Sequence, residues 1–247
     1  MENPYESRKQ VDEYLFFHYA TFAEAAGGLP VPEGAWGFPV RVVAELLEGS
    51  PPARTALDVG CAVGASCFEL ARTIPNVTGI DFSRAFVDAA VDLKNTGAIV
   101  ASVPSEGRRR LHFRACVAEG IDRGRVSFEV GDAMNLRPDL GSFDVVLAAN
   151  LVCRLPDPER FVKRLADLVA TGGQLLLATP FSWLPEFTPE SQWIGGQEDS
   201  PPSQEILADM LSPWFTLEAS KNLPFLIREH ARKFQYGISL GTRWRRH

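Results

Sequence analysis

Asp58, Gly60 and Gly64 punctuate the stretch LDVGCAVGASCFELA, residues 57–71. A buried-strand pattern ends at Asp58-Val59 and a helical pattern opens after Gly64, so the glycines fall in the turn between them. Glycine there lets the main chain approach a ligand closely. The helix N-terminus adds unpaired N–H groups and a positive dipole end. A second apolar run ends in Asp81, followed by Phe82, where a carboxylate can accept hydrogen bonds from a ribose diol. Two more runs end at Asp132 in VGDAMNL and Asn150 in AANLVCRL. Polar residues at four strand ends in register form a ligand crevice. A nicotinamide fingerprint requires glycine where Ala62 stands, and the Gly-Lys-Ser/Thr of a P-loop is absent.

Two further groups of residues have chemical potential. In NPYESRKQVDEYLFFHYA (3–20), Val11, Tyr14, Leu15 and His18 recur at i, i+3, i+4 and i+7, one face of a helix. Tyr14 and His18 then stack one turn apart, pointing inward with Leu15. In FLIREHARKFQ (225–235), Arg228, Glu229, His230, Arg232 and Lys233 gather in a chain of net charge −6. The competing reading of such a run is a solvated, salt-bridged surface.

The elements that position these residues follow from periodicity. TALDVG, NVTGIDFS, RVSFEVGDA, SFDVVLAAN and GGQLLLATP read as buried strands. SCFELARTI, RAFVDAAVDLKN and PERFVKRLADLV read as helices between them. This alternation predicts a mostly parallel sheet covered on both faces, an α/β Rossmann-like fold. WFTLEAS and YGISLGTRW bring the sheet to seven strands. Residues 1–50 are expected to form a helical cap on a single unit spanning 51–247, with a small lobe or hairpin inserted near 97–125.

A pI near 5.3 argues against coating nucleic acid or anionic membrane. The four cysteines, Cys61, Cys67, Cys116 and Cys153, have neither zinc-ligand spacing nor a disulfide framework. The polar N-terminus lacks an apolar signal core and no run approaches membrane-spanning length. The expectation is a cytoplasmic protein that acts on a small molecule and holds no metal.

The Asp-x-Gly-x-x-x-Gly spacing at 58–64 resembles motif I of the class I S-adenosylmethionine-dependent methyltransferases. That resemblance implies S-adenosylmethionine as cofactor. It would be held by the turn containing Gly60, Cys61, Ala62 and Gly64, by Asp81 and Phe82, and by Asp132, Ala133 and Met134 around the adenine. Asn150 and Leu151 would lie beside the methyl group. Ala62 replaces a glycine common in the motif. The Asn-Pro-Pro-Tyr/Phe motif of DNA amino-methyltransferases is missing, because Leu-Val-Cys follows Asn150.

The blocks NPYES, FPVR, ALDVGCAVG, RLPDP, EFTP and PFLIREHARKFQ are similar to the methyltransferase family that completes ovothiol biosynthesis, and the likeness runs over nearly the whole chain. It implies methylation of 5-thiohistidine on the π nitrogen of imidazole. It also implies a stand-alone form, paired functionally with a sulfoxide synthase that supplies the substrate. His18, Tyr14 and His230 are then candidates for the base, and Tyr14, Phe181 and Trp183 for aromatic walls favouring a sulfonium. Arg228 is expected to hold the substrate carboxylate, with Glu229 or His230 at the amino group or ring, provided that the chain turns after Ile227. Lys9 and Arg154 are the next candidates for the carboxylate. The alternatives are a methyltransferase for another small amine, acid or thiol, and a non-catalytic cofactor-binding module.

Overall fold

The computed structural model describes residues 4–49 and 52–247. The expected boundary at 50/51 and Asn3 of the NPYES block lie outside the described residues.

The N-terminal segment folds as α1 (Arg8–Tyr19), α2 (Phe22–Ala26) and α3 (Phe38–Leu46). Ser7 caps α1 by accepting the Gln10 N–H, while Thr21 and Glu24 form a reciprocal capping box on α2. The chain continues through β1 (Thr55–Val59), α4 (Ala65–Leu70), β2 (Asn76–Asp81) and α5 (Arg84–Thr96). After these come β3 (Ala98–Glu106), β4 (Arg109–Cys116), β5 (Val126–Val130), β6 (Phe143–Ala149), α6 (Pro158–Leu168) and β7 (Val169–Thr179). It closes with α7 (Ser203–Leu211), β8 (Phe215–His230) and β9 (Lys233–Arg246).

Seven strands form one sheet in the order β5-β2-β1-β6-β7-β9-β8. All neighbours from β5 to β7 pair in parallel, and β9 is antiparallel to both β7 and β8. The expected fold class is the observed one. Successive strand residues feed opposite faces: Ala56 packs with Leu15, Val42, Leu46, Phe68 and Leu93, whereas Leu57 and Val59 pack with Phe161, Leu165 and Leu211. Each such fully buried side chain contributes roughly 1.5–3 kcal/mol. Strand order reverses between β1 and β6, which puts the crevice at their carboxyl ends.

Two hairpins meet above that end. β3 and β4 form a separate antiparallel ribbon against α1, with the Phe16 and Phe113 rings edge-on at 4.9 Å. The Ala231 N–H at the tip of the β8–β9 hairpin donates to Ser105 O on the ribbon. The expected turn after Ile227 is displaced: Ile227 pairs Gln235 and Arg228 pairs Phe234, so the ladder runs on to a turn at 231–232. The apolar alternation of Phe225 and Ile227 against Phe234 sustains the pairing, and a bulge between Arg228 and His230 absorbs the ionic residues. Pro224 is tolerated because β8 is an edge strand. Among the described residues no helix is long and apolar enough to cross a membrane.

Candidate active site

Backbone strain is concentrated at the strand ends. Among the described residues, the non-glycine residues with positive φ are Ala62 (47°), Asn150 (54°) and Phe181 (50°). They follow β1, β6 and β7 respectively. An L-residue in this left-handed region costs about 1–2 kcal/mol, and such residues cluster at ligand sites. Gly64 caps α4 at φ 87°, and a Cβ there would come within 2.7 Å of the Phe128 ring. The turn is therefore held against the third-layer aromatic rather than floating free.

Each acid of the crevice has a distinct job. Asp58, 1% exposed, accepts from the Ser66 hydroxyl and the Cys67 thiol, which locks α4 onto β1 from beneath. Burial pushes its pKa up to about 6. Asp81 accepts the Ala62 N–H at 2.8 Å on Oδ2 and the Ser83 N–H at 2.9 Å on Oδ1. The Phe82 N–H adds a third main-chain donor, which leaves one of the four carboxylate lone pairs open to a hydroxyl, and Phe82 is 61% exposed. Asp132 accepts the Met134 N–H at 2.8 Å with Oδ1, opening the turn of Ala133 and Met134. Cys61 turns its thiol inward against Gly79, and burial pushes the thiol up to about 11, so only its main chain belongs to the turn. Leu151 packs over Gly60. Asn150 donates its N–H to Ala178 O, and its Oδ1 accepts the Ser239 hydroxyl at 2.6 Å. These acceptors suit a ligand that presents hydroxyl groups rather than phosphates.

The N-terminal segment closes over the same strand ends. The Glu6 carboxylate accepts the Arg84 and Ala85 N–H groups at 3.0 and 3.1 Å, capping α5, and Tyr5 O accepts the Ser83 hydroxyl at 3.0 Å. At the far end of α1 the Tyr19 hydroxyl donates to Val63 O at 2.7 Å, in the glycine turn. Tyr14 packs on Phe86 at 4.6 Å and edge-on to Tyr5 at 5.9 Å. Burial raises the pKa of both phenols; the Arg154 charge opposes that rise and the Asp81 charge adds to it. His18 lies 6.0 Å from Tyr14, with Nδ1 sealed and without a hydrogen-bond partner. Burial pushes its pKa down to about 3, so the imidazole is neutral near pH 7. Sequence reasoning missed Tyr5, Glu6, Tyr19 and Ser239. The capped start at Ser7, directly after Tyr5 and Glu6, is the signal that this segment is fixed rather than trailing.

Arg154 lies just past β6: its Nη1 donates to Ser182 O at 2.7 Å and Cys153 O at 3.0 Å, with Cζ 5.1 Å over the Phe187 ring. The remaining expected substrate residues are directed elsewhere. Lys9 is 68% exposed and pairs with Glu13. Trp183 donates to Ser203 Oγ and stacks on Trp193, on the α7 side of the sheet. Phe181 is held by its N–H to Thr179 Oγ1 and stays at the strand end. His230 is exposed, and its Nδ1 accepts the Arg232 N–H in the turn. Glu229 pairs with Lys233 and accepts from Gln235. Arg228 is 6% exposed, donates to Pro104 O at 3.1 Å and lies 5.3 Å over Phe16. Phe16 is about 200° round α1 from Tyr14, so Arg228 packs behind the helix that carries Tyr14. Among the described residues no cluster of His, Cys, Asp and Glu is set to hold a metal.

Residues 35–234 match the methyltransferase-domain family. Ajmaline N-methyltransferase of Rauvolfia serpentina is 26% identical over 147 residues, 59% of this chain and 42% of that protein. The 2-methyl-6-phytyl-1,4-hydroquinone methyltransferase of Synechocystis is 34% identical over 133 residues, 53% of this chain and 34% of that protein. The match thus spans less than half the length of these curated relatives. The crystal structure of N-methyltransferase NodS from Bradyrhizobium japonicum WM9 with S-adenosyl-l-homocysteine superposes with a TM-score of 0.53 at 15% identity, covering 96% of this chain and 98% of that one. A methyltransferase from Methanosarcina mazei gives a TM-score of 0.55 at 17% identity over 83% of this chain and 96% of the other. The chain belongs to the methyltransferase-domain family, with the class I fold and S-adenosylmethionine as its cofactor.

Proposed function

We propose that this protein transfers a methyl group to the π nitrogen of the imidazole of 5-thiohistidine, giving ovothiol A. The observation that carries the reading is Arg154, a cation held by Cys153 O and Ser182 O just past the end of β6, with no carboxylate partner among the described residues. An amino-acid acceptor brings that carboxylate, and guanidinium presents it a planar donor fork. The likeness of NPYES, RLPDP and PFLIREHARKFQ to the ovothiol-forming enzymes supports the same substrate. The N-methyltransferases among the relatives favour nitrogen as the accepting atom. A sulfoxide synthase acting upstream would supply the thiolated ring.

The residues divide the work. Asp81 would hold the ribose hydroxyls and Asp132, Ala133 and Met134 the adenine, while the turn from Gly60 to Gly64 takes the remainder. Bound there, S-adenosylmethionine supplies an electrophilic methyl, the N–C bond forming as the C–S bond breaks and its electron pair returns to sulfur. The chain's task is alignment of a lone pair, which can supply up to roughly 7–11 kcal/mol. Tyr14 lends an aromatic face, and neutral His18 adds no charge that would repel a sulfonium. Incubating the pure protein with S-adenosylmethionine and 5-thiohistidine, with products identified by mass spectrometry and NMR, tests the reading. Ovothiol A should form with at least about a hundred-fold preference in kcat/KM over histidine, on the order of 2.7 kcal/mol. Equal rates on the two substrates would overturn it.

A further inference from the structure

Asn150 is the strained residue past the carboxyl end of β6, with φ at 54°, and both of its hydrogen bonds run away from β1. Its N–H donates to Ala178 O on β7 at 2.8 Å, and its Oδ1 accepts the Ser239 hydroxyl at 2.6 Å. Ser239 lies on β9, one residue beyond the Thr179–Leu240 pair, so it stands past the end of β7 with 0% exposure. That hydroxyl makes no other hydrogen bond among the described residues. A sealed hydroxyl with one partner must donate to it, because an unplaced proton in a dry site is costly. Turning the carboxamide over would set the Asn150 amino group against the hydroxyl, which would then accept and strand its own proton. Ser239 thus decides which end of the carboxamide points where. Leu151, the next residue, packs over Gly60, so Asn150 stands between the glycine turn and β9. Its Nδ2 amino group is left on the half-buried side turned to the crevice, with no acceptor among the described residues.

We propose that Ser239 is a positioning residue for methyl transfer: by holding Oδ1 it turns the Asn150 amino group toward the acceptor molecule, which makes the place beside the methyl group a hydrogen-bond donor. The inference rests on the reading above, in which Asn150 lies at the methyl group. A carboxamide amino group offers two N–H donors and accepts nothing. It therefore favours an acceptor molecule that brings negative charge or a lone pair there, as a thiolate or carboxylate does. A molecule that brings an ammonium or N–H to the same place meets donor against donor. The amino group also takes no proton, so the part of the acceptor that it holds must arrive already deprotonated. The oxygen of a turned-over amide would favour the opposite, protonated form. Ser239 is sealed from the crevice, so its effect on the acceptor passes through Asn150.

The test is a double-mutant cycle on the full chain, with Ser239→Ala and Asn150→Ala made singly and together. With 5-thiohistidine each single variant should lose about ten-fold in kcat/KM, the size of one hydrogen bond. The double variant should lose scarcely more than either, as expected of residues that act as a unit. S-adenosylhomocysteine affinity, read by calorimetry, should stay within about two-fold throughout. The orientation is read without turnover, in protein holding S-adenosylmethionine labelled with carbon-13 at the methyl group. The side-chain amide protons of Asn150, assigned by their absence from Asn150→Ala, should show a nuclear Overhauser contact to that methyl in wild type and lose it in Ser239→Ala. Losses that multiply in the double variant, full activity in Ser239→Ala, or no Overhauser contact in wild type would each overturn the proposal. A contact that depends on Ser239, in a protein that leaves 5-thiohistidine unmethylated, would overturn the substrate and leave the role of Ser239 standing.

Discussion

Asp81 and Tyr5 face the same cleft but are held there by different means. Asp81 ends a central strand and is gripped by two main-chain N–H groups within the sheet's own end. Tyr5 arrives from outside the sheet, its place set by Ser83 and Phe86, far away in the chain, and by Tyr14 on the next helix. The cofactor side is thus a strained, local construction, with Ala62 and Gly64 at positive φ in one turn. The acceptor side is an assembly of the N-terminal lid, the loop carrying Arg154 and the terminal hairpin that supplies Ser239. A local construction fixes its geometry within one turn, whereas an assembly can change one part without disturbing the other.

That contrast can be broken most severely at Gly64. Gly64→Ala puts a Cβ 2.7 Å from Phe128 at φ 87°. Strain and overpacking together should cost about 2–5 kcal/mol in stability, and cofactor binding should be lost in calorimetry. Retained binding would mean that the turn is softer than it looks. Asp81→Ala removes a charged acceptor and should weaken S-adenosylmethionine binding by ten-fold or more, roughly 1.5–3 kcal/mol; unchanged affinity takes Asp81 out of the site. On the acceptor side, Arg154→Met should raise KM for 5-thiohistidine by about 1.5–3 kcal/mol worth of lost charge-assisted bonding, with cofactor affinity intact. Arg228→Met is its control, expected to lower Tm and leave KM alone. If the two exchange effects, the carboxylate lies behind α1.

Two smaller effects sharpen the comparison. The folded pKa of His18, about 3, lies below its ordinary value of 6.5, so the unfolded chain takes the proton first. Stability from His18 is complete above pH 6.5 and falls as the pH drops toward 3. Between pH 6.5 and 5 wild type should lose about 2 kcal/mol that His18→Gln keeps, read from denaturant melts. A parallel decline in both proteins would show that the ring is hydrated. Ala62→Gly relieves a left-handed alanine and should raise stability by about 1 kcal/mol, measured by thermal melts. A loss of stability would mean that the turn gains more from alanine's restricted unfolded state than it loses in strain.

How far the sequence could be read follows the same divide. The strands ending at Asp58, Asp81 and Asn150 were legible because apolar runs and terminal polar residues lie side by side in the chain. A turn after Ile227 is expected only because alternation would otherwise send Arg228 and His230 to one side and Glu229 to the other. Backbone pairing with Phe234 and Gln235 carries the strand through them, and Phe16 covers the guanidinium, neither of which is local. Tyr5 precedes the helical period that singled out Tyr14 and His18, so periodicity had nothing to say about it. Trp183 follows a strand end, yet its indole finds Trp193 and Ser203 on the opposite side. Side-chain direction in an irregular loop is set by partners that spacing does not record.

The cap that Glu6 places on α5 also sets the charge beside Asp81. A helix N-terminus beside a ribose site is a ready anion receptor, but here a carboxylate of the same chain occupies its N–H groups, and the charge of Glu6 adds to the burial that raises the pKa of Asp81. A ribose bearing a 2′- or 3′-phosphate would meet two negative charges and no free donors. A nucleoside with bare hydroxyls and a cationic sulfur meets attraction instead. Glu6 therefore makes this end of the crevice a poor place for an anion, despite the helix that starts there.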